Sequence, residues 1–356
     1  MMTDLILKRE EQAVFALRSL YRRYGYAPYK MSRFEEYDLY VRNKDFLVSD
    51  QIITFSGSGG RLLALKPDVT LSIVKNAPEA PGVVQKVYYN ENVYRDYREI
   101  MQAGLECVGD LGDYEIAEVV LLAVKSLELL GQRFVLDISH MGLLGAVLES
   151  CGLRGDQQKL AMENLRRKNA HDLRALCPEE GWEKLEMLLS CHGGRETLEA
   201  VSSVLTTEEE RQALEELCSL WNTLEANGCA GSVRLDFSVS NNMGYYSGVV
   251  FRGYLEGIPA SILSGGQYDR LPRKMGRKAK AIGFAIYLDM LQELHPEENA
   301  FDVDTLILHD GTVDTEVLTA AAAKASKEGS VLVARQLPGD RTWKQLVRFE
   351  KGVRLS

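Results

Sequence analysis

The stretch KVYYNENVYRDYREIMQAGLECVGD, Lys86 to Asp110, decides the fold. It reads as an antiparallel strand pair. The second strand alternates: Met101, Ala103, Leu105 and Cys107 point one way, and Gln102, Gly104 and Glu106 the other. A solvated sheet surface would account for that polar face. Gly104 argues against it, because a glycine in mid-strand weakens the strand unless something must approach the backbone closely.

Upstream, Ala13, Val14, Leu17, Leu20, Tyr21 and Tyr24 recur at helical spacing, and Gly25 ends the helix. FSGSGGRLLALKPDVT (Phe55 to Thr70) reads as a hairpin. Its GSGG has the composition of a phosphate cradle, but no strand-to-helix context with a following Lys-Ser/Thr supports one, so a hairpin turn is the better reading. Downstream, a helix capped by Asp113 and closed by Gly131 leads to the strand RFVLDIS. Residues 141–228 are rich in Leu, Glu, Lys and Arg at helical spacing and read as a helical insertion. The β pattern returns at Ser232 and runs through SGGQYDRL to an expected helix, AIGFAIYLDMLQEL. His295-Pro296 and the polar residues after it read as a linker. Beyond it, DTLILH and SVLVAR are expected strands, TEVLTAAAAKASKEG a helix, and TWKQLVRFEKG a further helix.

This order predicts an α+β protein with an antiparallel sheet core. The expected domains are 1–296, carrying the insertion, and a small α/β unit over 299–356.

The chain has 356 residues, 46% of them hydrophobic, enough for a large core and two or three domains. Lys and Arg number 42 against 51 Asp and Glu, a net charge of −9. Phosphate contacts supply most of the affinity of a nucleic-acid binder, so this balance counts against nucleic acid as the main partner. No apolar run approaches the roughly 20 residues of a membrane span, and the N-terminus lacks an apolar signal core, so a cytoplasmic location is expected. The six cysteines (Cys107, Cys151, Cys177, Cys191, Cys218 and Cys229) form no CxxC pair, and Cys191 beside His192 reads as incidental. No metal or cofactor is expected.

One more stretch bears on function. SNNMGYYSGVVF, Ser240 to Phe251, places two tyrosines between a polar lead-in and a β-rich run, like the rim of a small-molecule site, yet the lead-in carries no charge. Here the order of motifs resembles the catalytic domain of class II aminoacyl-tRNA synthetases, histidyl-tRNA synthetase in particular. ALKPDVT resembles that family's Leu-Arg-Pro-Glu-Gly-Thr segment. NVYR with REIMQAGLECVGD resembles its motif 2 and the strand after it. NNMGYYSGVVF resembles its Arg-Gly-Leu-Asp-Tyr-Tyr segment, SGGQYDRL its Gly-Gly-Arg-Tyr-Asp segment, and GFAIYLDML its motif 3. The resemblance covers roughly residues 5–295.

The departures are informative. Forming an aminoacyl adenylate builds negative charge on the α-phosphate of ATP, so the site needs fixed cations. Of the three family arginines, the first matches Arg95, the second falls on Asn241 and the third on Met290. The motif 2 loop is also cut short after Arg95. Each lost donor typically costs about 2.7–4 kcal/mol of transition-state stabilisation, so the resemblance implies a degenerate site without synthetase catalysis. The amino-acid side is fuller. Asp68 stands at the family's amino-binding glutamate, Gln102 and Glu106 at residues lining the histidine site, and Tyr245 and Tyr246 at its double tyrosine. Asp68 and Gln102 can accept from an ammonium group and Glu106 from an imidazole N–H, while Arg95 is left to hold the carboxylate. An emptied relic pocket is the alternative.

A synthetase fold with this pattern resembles the regulatory subunit of ATP phosphoribosyltransferase. That resemblance implies a cytoplasmic hetero-oligomer with the short catalytic subunit, containing a self-dimer. It also implies control of the first step of histidine biosynthesis, with histidine as effector. Ser32 replaces the proline of motif 1, and the C-terminal unit is shorter than an anticodon-binding domain. The competing readings are a tRNA-binding module and an altered aminoacyl-transfer enzyme.

Overall fold

The computed structural model describes residues 7–47, 51–78, 80–131, 133–240, 245–293, 301–350 and 353–354. Ala13, Leu17 and Tyr21, spaced by four, form the buried side of helix α1 (Arg9–Arg23), and the chain turns away at Gly25, whose φ is 81°. Strand β1 (Ala27–Pro28) follows. A small sheet then forms from β2 (Phe34–Glu36), β3 (Thr54–Ser56) and β4 (Leu62–Leu65), with helix α2 (Tyr37–Arg42) between the first two strands. The β3–β4 hairpin closes through the GSGG turn, as the sequence predicts, and helix α3 (Thr70–Asn76) comes next.

The deciding stretch forms β5 (Val84–Arg95) and β6 (Arg98–Gly109), paired from end to end. Only Asp96 and Tyr97 lie between them, and both have positive φ (50° and 61°). Two such residues make the tight turn whose twist matches the flanking strands. Helix α4 (Asp113–Leu130) and β7 (Phe134–His140) follow. The cap of α4 is Gly112 rather than Asp113, because the Glu115 side chain reaches back to the Gly112 N–H at 2.9 Å.

The insertion is helical as expected. It comprises α5 (Met141–Ser150), α6 (Asp156–Arg166), α7 (Ala170–Leu176), α8 (Trp182–Ser190), α9 (Arg195–Val204) and α10 (Glu208–Ala226), with the short strand β8 (His192–Gly193) between α8 and α9. The core resumes with β9 (Val233–Asp236), β10 (Val249–Leu255), β11 (Leu263–Gln267), helix α11 (Arg270–Lys274) and β12 (Lys280–Tyr287).

Two expected helices are strands or mostly strand. AIGFAIYLDMLQEL forms β12 and a 3-10 turn, Leu288–Glu293. A strand covered on both faces reads as a continuous apolar run, which periodicity does not separate from a buried helix. TWKQLVRFEKG contains β15 (Trp343–Glu350), in which Val347 and Phe349 are buried between exposed Lys344, Arg348 and Glu350, a period of two.

Nine strands form one sheet in the order β1-β5-β6-β12-β11-β10-β7-β9-β8. Its pairs are antiparallel except β1 with β5 and β7 with β9. One face packs on α1 and α4: Tyr21 stacks near Tyr88 and Phe284, and its hydroxyl meets Ser126 Oγ at 3.0 Å. The other face carries Gln102, Gly104 and Glu106, opposite Tyr287, Ala285 and Gly283 of β12. This is an α+β arrangement on a mostly antiparallel sheet, the class that the sequence predicts.

Residues Leu294–Ser356 form a second unit. It contains β13 (Val303–His309), helix α12 (Thr315–Ala325), β14 (Val331–Ala334), β15 and β16 (Val353–Arg354), with sheet order β14-β13-β15-β16 and a core of Ile307, Val313, Val347 and Phe349.

Candidate functional site

The polar face of β6 is the floor of a cavity, not a solvated surface. Gln102 and Glu106 are both 2% exposed. Small residues make the room. A Cβ on Gly104 would lie 2.6 Å from the Tyr89 hydroxyl, so the glycine admits that tyrosine across the strand. A Cβ on Gly283 would run into Glu106 Oε2, so that glycine seats the carboxyl group. The cavity measures about 570 Å³. Asp68, Arg95, Gln102, Glu106, Tyr245 and Tyr246, the six residues singled out from sequence, all line it.

Each is held in a definite way. Thr70, first residue of α3, donates its hydroxyl to Glu106 Oε1 at 2.6 Å, and the Tyr268 hydroxyl donates to Glu106 Oε2. Burial pushes the Glu106 carboxyl up to about 8, against the two hydroxyl donors, with the nearby Asp68 adding to the rise. Asp68 Oδ1 accepts the Leu71 N–H at 2.8 Å in the first turn of α3. Its other oxygen is 3.6 Å from the Arg95 guanidinium. Burial raises the Asp68 carboxyl, with Arg95 and the Leu71 and Thr70 amides opposing. Arg95 spends its Nε–H on the Pro67 carbonyl at 2.6 Å, leaving further donors on its other nitrogens.

The aromatic wall is continuous. Tyr245 lies 4.5 Å from Tyr246, 5.4 Å from Tyr268 and 5.4 Å from Phe46, centroid to centroid. Gln102 Nε2 is buried without a hydrogen-bond partner among the described residues. A buried amide left this way costs stability, and in a cavity wall it marks a place where an acceptor fits.

The other sequence-derived positions fall differently. Met290 is half-buried in the 3-10 turn after β12 and does not line the cavity. Asn241 lies outside the described residues. Thr70, Tyr89, Tyr268 and Gly283 were missed as site residues. Thr70 and Tyr268 stand inside ALKPDVT and SGGQYDRL, so their motifs were in view; what the chain order hid was that both hydroxyls meet at Glu106.

A larger cleft of about 1240 Å³ between α5, α6 and the core shares Tyr246 and Arg252 with the cavity. Among the described residues no group of three His, Cys, Asp or Glu is placed to hold a metal ion, and no helix is long and apolar enough to cross a membrane.

Comparison with known proteins gives a consistent set. A family profile described as histidyl-tRNA synthetase matches residues 6–291. An ATP phosphoribosyltransferase regulatory subunit from Geobacillus sp. is 28% identical over 354 residues, covering 94% of this chain and 88% of that one. The crystal structure of an ATP phosphoribosyltransferase regulatory subunit/histidyl-tRNA synthetase from Bacillus halodurans aligns at a TM-score of 0.77 and 24% identity, covering 96% of this chain and 94% of that one. A chain of the ATP phosphoribosyl transferase complex from Thermotoga maritima aligns at a TM-score of 0.62 and 19% identity, covering 78% of this chain and 97% of that one. These two structural likenesses establish the fold.

Proposed function

The chain belongs to the histidyl-tRNA synthetase family, and we propose that it serves as the non-catalytic regulatory subunit of ATP phosphoribosyltransferase. Its role is in the first step of histidine biosynthesis, beside a short catalytic subunit. The observation that carries this reading is the similarity to a regulatory subunit along nearly the whole of both chains.

The site supports the division of labour. Adenylate chemistry needs cations fixed around a phosphate, and the hairpin that would carry a covering loop is closed by two residues, Asp96 and Tyr97. Asn241 and Met290 stand where the family has arginines. The amino-acid side keeps a buried cavity with carboxylates, hydroxyls and a free amide donor. Histidine is the proposed occupant and effector. Asp68 faces its ammonium group, Arg95 its carboxylate, and Glu106 its imidazole. A subunit without chemistry of its own acts through differential affinity for the states of its partner. A self-dimer within a cytoplasmic hetero-oligomer completes the proposal.

Co-expression with a short-form catalytic subunit tests it. The two chains are expected to elute together on size exclusion, and the catalytic subunit's activity to change on mixing. The purified chain with ATP and histidine is expected to give no pyrophosphate exchange. Independent elution at micromolar concentration, with exchange at a synthetase's rate, would return the chain to aminoacyl transfer.

A further inference from the structure

Glu106 is a buried carboxyl with an unusual set of neighbours. Its two oxygens are met by neutral hydroxyls, those of Thr70 and Tyr268. Among the described residues no cation contacts it. The titratable groups facing it are Asp68 from the turn before α3, Tyr89 on β5, Tyr268 after β11, and Tyr245 and Tyr246 in the wall. Two cations line the same cavity, Arg95 and Arg252; Arg95 leans on Asp68, and Arg252 stands on the Tyr246 side. The missing Cβ at Gly283 leaves the carboxyl room on the floor of the cavity, where Glu106 is buried. The two hydroxyls favour a charged oxygen pair, but burial without a cation at contact outweighs them, and an adjacent carboxylate disfavours the charge further.

From this geometry we infer that the empty cavity holds Glu106 as a carboxylic acid, and that the site selects an amino acid whose side chain is a weak nitrogen base able to take that proton. The inference rests on the histidine reading above and deepens it. On binding, the O–H bond of Glu106 breaks, the proton passes to the ring nitrogen, and the resulting carboxylate and cation face each other. Nothing is gained from or lost to solvent. A permanently charged side chain, lysine-like or arginine-like, would have to expel the Glu106 proton to water. A neutral amide side chain would leave the acid without a base.

The proton balance gives a distinctive pH profile. A free imidazole titrates near 6.5, and Glu106 titrates at about 8. Between those values the free partners carry one proton in total, on Glu106, and the complex also carries one. Affinity is therefore flat from about pH 6.5 to 8 and falls about tenfold per unit on either side. An ordinary carboxylate would behave differently. Its complex would take up nearly one proton at pH 7.3, and affinity would fall about tenfold for each unit above pH 6.5.

The test uses the full chain and free histidine. Calorimetry at pH 7.3 in phosphate and in Tris, buffers of different ionisation enthalpy, reads the proton exchange directly. An exchange near zero is expected, with histidine binding in both. Infrared difference spectra of the empty protein at pH 7 are expected to show a carboxylic-acid band that disappears when histidine is added and is absent from Glu106→Gln. That variant is expected to bind histidine at least tenfold more weakly, with a profile that follows the ligand's own titration and stays flat above pH 8. Uptake of close to one proton, or no acid band in the empty protein, overturns the inference while leaving histidine binding intact. Failure of histidine to bind at millimolar concentration overturns the effector reading and the assignment of ligand class with it. The infrared band of the empty protein then still decides whether Glu106 is an acid.

Discussion

Two buried glutamates in this protein sit in opposite circumstances. Glu210, at the start of α10, is fully covered, as Glu106 nearly is. Burial pushes both carboxyls up. At Glu210 that push is outweighed by Lys184, whose ammonium lies at 2.6 Å, by the Ser150 hydroxyl, and by the Thr206 and Thr207 amides at 2.7 and 2.9 Å. Its carboxyl ends below the usual range. Glu106 has only hydroxyls and ends well above it. The Glu210 cluster closes on itself: Lys184 also donates to Ser150 at 2.9 Å and to Thr206 at 2.6 Å, so its three protons are used. The Glu106 cluster opens onto a cavity. A paired buried charge ties elements of the insertion together, whereas a buried carboxyl with no cation at contact stays protonated and open to the cavity.

The largest effect should come from breaking the closed cluster. Lys184→Met removes the one cation that contacts this fully buried carboxylate among the described residues, and such losses cost about 3–5 kcal/mol. Urea denaturation should show an unfolding free energy lower by that amount than in wild type, read from the lowered midpoint at unchanged slope. A change below about 1 kcal/mol would mean that water reaches Glu210, and the contrast with Glu106 would weaken.

The second prediction puts pH on the open cluster. A carboxyl near 4.3 in the unfolded chain and about 8 in the folded one binds its proton more tightly when folded. The folded state is thus favoured at low pH, and stability drains away as pH rises from about 4.3 through 8, at up to about 1.4 kcal/mol per unit. Between pH 6 and 8 that amounts to about 2 kcal/mol. Thermal melts of wild type and Glu106→Gln across this range should differ in slope, with the variant lacking this loss. Parallel slopes would show that Glu106 keeps its charge when buried. Glu210, lowered rather than raised, acts in the other direction, and its contribution is lost only as pH falls through the carboxylate range.

The contrast between the clusters also explains what the sequence could convey. Alternation in β6 and the single Gly104 were enough to question a solvated face, because a strand glycine needs a close neighbour, and Tyr89 is that neighbour. Motif order brought the six cavity residues together on paper, and they line one cavity. What stayed hidden depends on register. Gly283 seats Glu106 only because the two stand opposite each other in adjacent strands 177 positions apart in the chain. Tyr268 and Thr70 reach one carboxyl from distant segments. Lys184 and Glu210 fall in a stretch where charged residues at helical spacing look like a solvated face, yet they pair inside it. Where both faces of an element are covered, as in β12, composition no longer records which periodicity is in use. That is why AIGFAIY was expected to be helical.

The smallest expected effect on the empty protein belongs to Gln102, and it separates a binding site from a relic. Its Nε2 is buried with no acceptor among the described residues, so the group is already a burden in the empty protein. Gln102→Met keeps the length of the side chain and removes the unsatisfied donor. Stability without ligand should stay within about 1 kcal/mol of wild type, or rise, because exchanging an unpaired buried polar group for an apolar one of similar shape is nearly neutral or favourable. The ligand-bound state should respond in the opposite sense. At a hundred times its Kd, a ligand that binds only the folded form stabilises by about 2.7 kcal/mol. At the same histidine concentration the variant should gain less than wild type, since the acceptor that would meet Nε2 has lost its donor. Melting curves of both proteins, with and without histidine, read the two quantities together. A variant that gains stability when empty and still responds fully to histidine would mean that Gln102 faces the cavity without using it. The orphan amide would then be inherited rather than functional, and the open cluster would reduce to Glu106 and the hydroxyls around it.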